Sequence, residues 1–316
     1  MAFSILLLSI FTFVELNCEN LFDCRHDTLK NDVEFLPDGA YRWTRTRYWQ
    51  KLNRVGQTVI ACGGEESGGR WQLPDMVALC EVENDSVMRD LTRRSSLRNA
   101  RYEYVMTSSP DERGIDVALM YSPYSFRMIE SHSVRVKPVK GMRPTRDILY
   151  ASGMLVSGDT LHVIVVHLPS RRGGERHSRP FRSAAAEQVA TVIDSIYGMS
   201  PDAKIILAGD FNDYADSESL RIICSRGMTD VSATARGNNG ACGTYRYQGE
   251  WGSLDHIVVS GSLVRHVGRC YVNDADFLVE EDEKYGGVKP RRNYIGPRYM
   301  NGFSDHLPLV ARFEGL

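Results

Sequence analysis

Apolar runs alternate with helical periodicities from one end of the 316-residue chain to the other. Runs at Ile10–Asn17, Met76–Glu81, Tyr102–Thr107, Ile115–Tyr121, Ser133–Val136, Ile148–Val156, His162–His167, Lys204–Gly209, Leu254–Ser260, Val264–Val272 and Leu307–Phe313 read as strands. Many are continuous rather than strictly alternating, the pattern of strands covered on both faces. Three segments have helical spacing instead. Arg45–Ala61 sets Tyr48, Leu52, Val55 and Val59 on one face; Asn84–Arg94 opens on an Asn-Asp-Ser cap and carries Val87, Met88 and Leu91. Arg182–Tyr197 carries Ala185, Val189, Val192 and Ile196. Two packed sheets with helices on their outer faces fit this inventory. Residues 233–252, rich in Gly, and 274–304, rich in charge and Tyr, follow neither period. Structureless stretches this long inside a compact domain are usually functional.

No repeat or linker divides the chain, so residues 10–316 read as a single domain. Residues 1–9 stand apart as an apolar extension. The run FSILLLSIFTFV at 3–14 has the length of a signal-peptide core and is too short to span a bilayer. No Lys or Arg precedes it, no small-x-small cleavage site follows it, and the first strand accounts for its second half. A composition of 42% hydrophobic and 25% charged residues supports a large core and excludes disorder. The balance of 38 basic against 40 acidic residues excludes coating nucleic acid by bulk charge, so any phosphate recognition must be local. The seven cysteines form no Cys-x-x-Cys pair and no zinc spacing. Cys18, Cys80 and Cys270 lie in apolar runs and read as reduced core thiols, which points to the cytoplasm. Export is the alternative if residues 1–14 are a signal remnant. No transmembrane segment and a monomer are expected.

The chemistry lies at the strand ends. The first run ends at Asn17, followed by Glu19 and Asn20; the second ends at Glu81; another ends at His167; the next runs into Gly209-Asp210-Phe211-Asn212; the last two flank Asp255-His256 and Asp305-His306. A single carboxylate after a strand is commonly a cap or turn former, and a lone His is commonly structural. Six such endings place polar groups together at the rim of a sheet. Asn, Asp and Glu without Cys suit a hard, oxygen-loving cation, Mg²⁺ with Mn²⁺ as substitute. Imidazoles with spare carboxylates suit general acid–base catalysis. The combination suits hydrolysis of a phosphate ester.

The set LNCENLFD, LCEVEN, DERGIDVALMY, VVHLPS, LAGDFND, SLDHIVVS and SDHLPLV resembles the endonuclease/exonuclease/phosphatase superfamily, in order from Asn17 to Leu309. The resemblance implies a DNase I-like fold, a four-layer α/β/β/α sandwich of two packed mixed sheets flanked by helices, and a Mg²⁺-dependent phosphoesterase. It implies that Glu81 holds the metal, with Asn17 beside it and Asp305 contributing. Asp210 would orient or deprotonate water, and Asn212 would bind a phosphate oxygen. His306 would meet the scissile phosphate, supported by Asp255. His167 places the chain with the histidine-bearing branches, such as deoxyribonuclease I, sphingomyelinase and the deadenylases. There it would protonate the leaving oxygen or contact the phosphate. Glu112 resembles a glutamate that supports this histidine, and Arg146 an arginine that touches a backbone phosphate; a solvated loop pair is the alternative for both.

Inositol 5-phosphatases carry Cys-Asp-Arg where this chain has Leu254-Asp255-His256, so that branch falls. His256 reads as a strand residue facing away from the site. Arg171 and Arg172, just after His167, are placed to clamp a second or terminal phosphate; a solvated charge run is the alternative. Arg291-Arg292-Asn293-Tyr294 with Tyr299 reads either as a base-stacking patch or as loop packing. Tyr41–Trp49 interleaves base and aromatic, but core packing of Tyr48 and Trp49 under surface arginines is the better account. The expected function is a phosphodiesterase acting on nucleic acid by in-line water attack. A phosphatase or sphingomyelinase-like phosphodiesterase is the alternative, and a catalytically inactive binding module is the rival from another class.

Overall fold

The structure, a computed structural model, describes residues 10–65 and 71–316. The extension 1–9 lies outside the described residues. In chain order the principal strands are β1 Ile10–Leu21, β2 Met76–Val82, β3 Glu103–Met106, β4 Asp116–Tyr121, β5 Phe126–Val134, β6 Ile148–Leu155, β7 Thr160–His167, β8 Lys204–Asp210, β9 Met228–Asp230, β10 Asp255–Ser260, β11 Val267–Val272 and β12 Leu309–Glu314. They form two six-stranded sheets, β11–β12–β1–β2–β4–β3 and β9–β10–β8–β7–β6–β5. Each is mixed: β1 and β2 run parallel, as do β7 and β8, and the other neighbours are antiparallel.

Alternation along each strand builds the layers. Phe11 and Phe13 of β1 join Met76, Ala78, Val163, Val165, Ile206 and Ile257 in a core between the sheets. Val14, Leu16 and Cys18 face the other way, onto Leu52, Val55 and Val59 of α1 (Arg45–Ala61) and Val87, Met88 and Leu91 of α2 (Asp85–Arg93). Ile164, Val166, Ile205 and Leu207 back onto α3 (Glu175–Met199) and α4 (Glu218–Cys224). The four-layer sandwich follows. The Asn84 side chain caps α2 by accepting from Val87 N at 3.0 Å, as its sequence suggested.

Elements the pattern misjudged are those facing solvent. β5 extends over Phe126–Val134, not merely Ser133–Val136, because this edge strand is exposed along most of its length and shows no apolar run. Helix α3 begins at Glu175 rather than Arg182, its first turns being polar. The strand expected from Val264 starts at Val267, after a helical turn at Gly261–Val264. The two aperiodic stretches are shaped by short ribbons, among them Tyr245–Tyr247 with Glu250–Gly252 and Val279–Glu281 with Val288–Pro290. All seven cysteines are free, with Cys18 and Cys80 buried and Cys270 half-buried. No helix among the described residues is long and apolar enough to cross a membrane.

Candidate active site

The central strands of both sheets deliver their polar ends to one place. In the second sheet Asp210 is paired directly with His167 on one side and Asp255 on the other, so three chemistry-bearing residues stand abreast on β7, β8 and β10. Gly209 permits this. Its φ is +144°, and a Cβ there would collide with the carbonyl oxygen of Val166. In the first sheet, ladder shifts separate Cys80 from Val82 and Asn17 from Leu21. Within these irregularities Glu19, Asn20 and Glu81 take left-handed backbone conformations (φ 49°, 57° and 62°), as does Asn212 beyond β8 (φ 49°). Such conformations cost free energy and concentrate at functional sites; the one at Glu81 accompanies a carboxylate that comes within 4.0 Å of His167.

Contacts link residues from both termini. Asn17 Nδ2 donates to Asp210 Oδ2 at 3.0 Å, and Asn20 N donates to Glu81 Oε2 at 2.8 Å. His167 Nε2 lies 3.5 Å from Asp210 Oδ2 and 4.0 Å from Glu81 Oε1. His306 Nδ1 is hydrogen-bonded to Asp255 Oδ2 at 2.7 Å. Ligand atoms of Asp210, Asp255 and His306 all lie within 4.8 Å of one another. Asp210 Oδ1 accepts from Asn212 N at 2.7 Å, and Asn212 Nδ2 donates to Leu168 O at 3.1 Å. The Ser304 hydroxyl donates to Asn17 O at 2.7 Å, tying the loop before Asp305 to β1. The Tyr245 ring packs 4.9 Å from the His306 ring.

Burial and charge separate the two imidazoles. Burial, then the charges of Arg146, Arg113 and His306, hold His167 well below the ordinary histidine value, so it is neutral. Burial also acts to lower His306, but the charge and hydrogen bond of Asp255, aided by Asp305 and Asp210, outweigh it and keep His306 charged. Asp210 is pushed up to about 7, first by burial and then by the charge of Asp255. A carboxyl near neutrality suits a general base.

The donor set fits a hard divalent cation. Asp210 lies within electrostatic reach of Glu15, Glu81 and Asp255, and Oδ1 of Asp255 is buried without a hydrogen-bond partner among the described residues. Asp210, Asp255 and His306 are close enough to share an ion, yet their atoms are largely engaged already. Asn17 is engaged too: its Oδ1 accepts from Glu19 N at 2.9 Å. Among the described residues Glu81 Oε1 makes no hydrogen bond, and the side chain is 14% exposed. Asp305 is 20% exposed and pairs through Oδ2 with Arg292 at 2.8 Å. Glu81 and Asp305 therefore offer the open oxygens that an entering hydrated ion needs.

Several expected residues lie elsewhere. Glu112 does not support His167; it is 58% exposed and pairs with Arg143 at 3.4 Å, and His167 Nδ1 has no hydrogen-bond partner among the described residues. Arg146 is buried, and its guanidinium is engaged by main chain and a carboxylate. Its Nε donates to His167 O at 3.1 Å, its Nη2 to Leu168 O at 2.6 Å, and its Nη1 meets Asp111 at 3.2 Å. Arg171 and Arg172 diverge: Arg171 pairs with Glu175 at 2.8 Å and lies over the Tyr214 ring, while Arg172 lines a separate cavity. Tyr294 packs with Tyr41, Trp43 and Tyr299, which is loop packing and not a stacking platform. Tyr48 is buried as expected, whereas Trp49 is only half-buried. His256 faces away from the site, between Asp230 at 2.8 Å and Asp213 O at 2.9 Å.

Three supporting residues escaped sequence reasoning. Lys51, fully buried, donates to Phe303 O and lies within charge range of Glu19, Asp305 and Glu81. Its signal was a lysine on the apolar stripe of α1. Glu15 continues the Phe11–Phe13 face into the inter-sheet core, and burial with the charges of Asp255 and Asp210 keeps it protonated well above the carboxylate range. Arg182, also fully buried, reaches Asp213 at 3.1 Å and Glu175 at 2.6 Å, anchoring the loop after Asp210 to α3.

The Endonuclease/Exonuclease/phosphatase family model matches residues 12–314. No curated protein matches the chain. Among solved structures, an endonuclease/exonuclease/phosphatase family protein from Bacteroides thetaiotaomicron is 18% identical with a TM-score of 0.64, covering 98% of this chain and 99% of that one. A mannosyl-6-phosphatase from the same organism is 18% identical with a TM-score of 0.61, covering 95% and 98%. The human Nocturnin catalytic domain, with a bound sulfate anion, is 16% identical with a TM-score of 0.55, covering 97% and 96%.

Proposed function

The chain belongs to the endonuclease/exonuclease/phosphatase family, and from that premise we propose that it is a Mg²⁺-dependent phosphoesterase that hydrolyses its substrate by in-line attack of water. The observation that carries this reading is the meeting of Glu81, His167, Asp210 and the Asp255–His306 pair at one site. Glu81 and Asp305, beside Asn17, would hold the cation, which supplies charge neutralisation for the phosphoryl oxygens when bound.

The chain's own residues supply the rest. Asp210, fixed by Asn17 and Asn212 N, accepts a proton from water as its oxygen bonds to phosphorus. The ester P–O bond breaks, and the leaving oxygen takes a proton from the His306 imidazolium, which Asp255 orients by binding Nδ1. His167, neutral, donates a hydrogen bond to a phosphoryl oxygen, as does the second amide N–H of Asn212. The products are an alcohol and the phosphate monoester, or inorganic phosphate from a monoester.

A nucleic-acid phosphodiester is the leading substrate, from the sequence parallels to deoxyribonuclease I. A monoester is the second reading. It is favoured by the depth of the site, where His167, Asp210, Asp255 and His306 are each no more than 7% exposed, and by the likeness to a mannosyl-6-phosphatase fold. Incubation with Mg²⁺ and supercoiled plasmid, single-stranded oligonucleotide, sphingomyelin or a simple monoester separates them. Nicking of plasmid supports the nuclease; release of inorganic phosphate alone supports the phosphatase. Undiminished turnover in excess chelator overturns the metal assignment.

A further inference from the structure

Beside Arg146, which holds the end of β7, lies a cavity of about 340 Å³. Loops after β3, before β6 and after β7 enclose it. Its floor is buried and its rim is exposed and basic, with Arg113, Arg143, Arg172 and His177 facing solvent. Two carboxylates line it as well, but both are paired. Asp111 meets the buried Arg146 at 3.2 Å, and Glu112 meets Arg143 at 3.4 Å. That leaves surplus positive charge. Arg172 has no hydrogen bond or ion pair among the described residues. Among the described residues the His177 ring makes no hydrogen bond or ion pair and packs edge-on to Phe181. Arg113 has one long contact, 3.9 Å to Asp111.

Two further observations point to an anionic occupant. Thr145 lines the cavity, is 4% exposed, and its hydroxyl has no hydrogen-bond partner among the described residues. The 25-residue helix α3 begins at the rim, after Gly173 and Gly174, and no side chain caps its first N–H groups. Those amides and the helix dipole favour an anion. The cavity adjoins the reaction centre through Arg146, which binds the carbonyl oxygens of His167 and Leu168 while forming part of the cavity lining. Arg113 and Arg146 are also close enough to help keep His167 neutral.

Resting on the phosphoesterase reading, we propose that this cavity is a subsite for a second phosphate group on the same substrate, held by Arg172, Arg113 and His177 next to the phosphate that is hydrolysed. The substrate class is therefore a phosphoester with a neighbouring phosphate. That neighbour is either the next phosphate of a short nucleic-acid strand or the second phosphate of a small bisphosphate. A planar guanidinium free of protein partners grips a phosphate bidentately, which fits Arg172 for the task.

The test compares matched substrates with the Mg²⁺-loaded full chain: a dinucleotide with and without a 5′-phosphate, and a hexose bisphosphate against the monophosphate. The wild type is expected to favour the doubly phosphorylated member of one pair by roughly 10- to 100-fold in kcat/KM, mainly through KM. The pair that shows the preference identifies the source. In Arg172→Gln that ratio falls toward one, and Arg172→Lys, which keeps the charge but not the fork, recovers part of it. Arg172 is exposed, so thermal unfolding should be unchanged in both variants. Equal kcat/KM within both pairs, or an equal loss for both members in Arg172→Gln, overturns the subsite while leaving the phosphoesterase reading intact. Hydrolysis of no member of either pair overturns that reading and the subsite with it.

Discussion

Oδ2 of Asp255 lies 2.7 Å from Nδ1 of His306, with both side chains almost wholly buried. The carboxylate fixes the tautomer and leaves Nε2 for the substrate. It also keeps the ring charged against the effect of burial. Replacing Asp255 with Asn removes the charge and keeps the shape. The imidazole pKa then falls, so the protonated form is lost at lower pH. Turnover is expected to drop by roughly 10²- to 10⁴-fold, with the alkaline limb of the pH–rate profile moved to lower pH. An unmoved limb in Asp255→Asn would remove His306 from the acid role.

Arg146 distinguishes a wall from a ligand. Its three contacts to His167 O, Leu168 O and Asp111 hold the end of β7 in place. Arg146→Ala leaves the buried Asp111 with only the 3.9 Å contact to Arg113 and the hydrogen bond from Arg113 N, and weakening a buried pair in this way is expected to cost about 3 kcal/mol. Urea unfolding should register that loss in the absence of any substrate. A residue that served only to touch phosphate would leave the unfolding midpoint unchanged.

Much of this arrangement was legible before any coordinates. Buried strands announce themselves by continuous apolar runs, and polar residues at the ends of those runs meet at the site: Asn17, Glu81, His167 and Asp210 where runs stop, and Asp255 where one opens. What the sequence hid was direction. Nothing in LCEVEN says that a ladder shift turns Glu81 to φ 62°, and DERGID does not say whether Asp111 or Glu112 turns inward. Spacing along a loop carries no periodicity from which orientation can be read. Lys51 and Arg182 were hidden for a related reason: charged residues on apolar helix faces read as surface until a buried partner is found. The adjacent Arg171 and Arg172 looked equivalent in sequence because only the fold separates the Glu175 side from the cavity side.

The buried pair Asp230–His256 makes stability depend on pH. Burial opposes both charges, but the mutual hydrogen bond and attraction prevail, raising His256 and lowering Asp230. A raised histidine stabilises fully below its unfolded value of about 6.5 and loses that contribution as pH rises through its folded value. A lowered aspartate stabilises above its unfolded value of about 3.9 and loses that contribution as pH falls through its folded value. The pair therefore contributes most between about pH 4 and 6.5. Asp230→Asn should lower stability by roughly 3 kcal/mol near pH 6 and by less in alkali. Denaturant titrations across that range measure it, and a cost independent of pH would count against the ion pair.

Metal binding can be separated from turnover through Glu81. Asn20 N holds its Oε2 and leaves Oε1 open, and Glu81→Gln keeps the volume and an acceptor while removing the charge. A ligand that binds only the folded state stabilises it by about 2.7 kcal/mol at a hundredfold excess over Kd. Mg²⁺ or Mn²⁺ should therefore raise the unfolding temperature of the wild type, and excess chelator should reverse the rise. In Glu81→Gln the rise should shrink or vanish, turnover should fall by at least about 10²-fold, and the metal-free protein should be no less stable than wild type. Relief of the carboxylate crowding around Asp210, to which Glu81 contributes, sets the sign of that last expectation. A full metal-induced rise in Glu81→Gln would move the cation to the Asp210, Asp255 and His306 cluster instead.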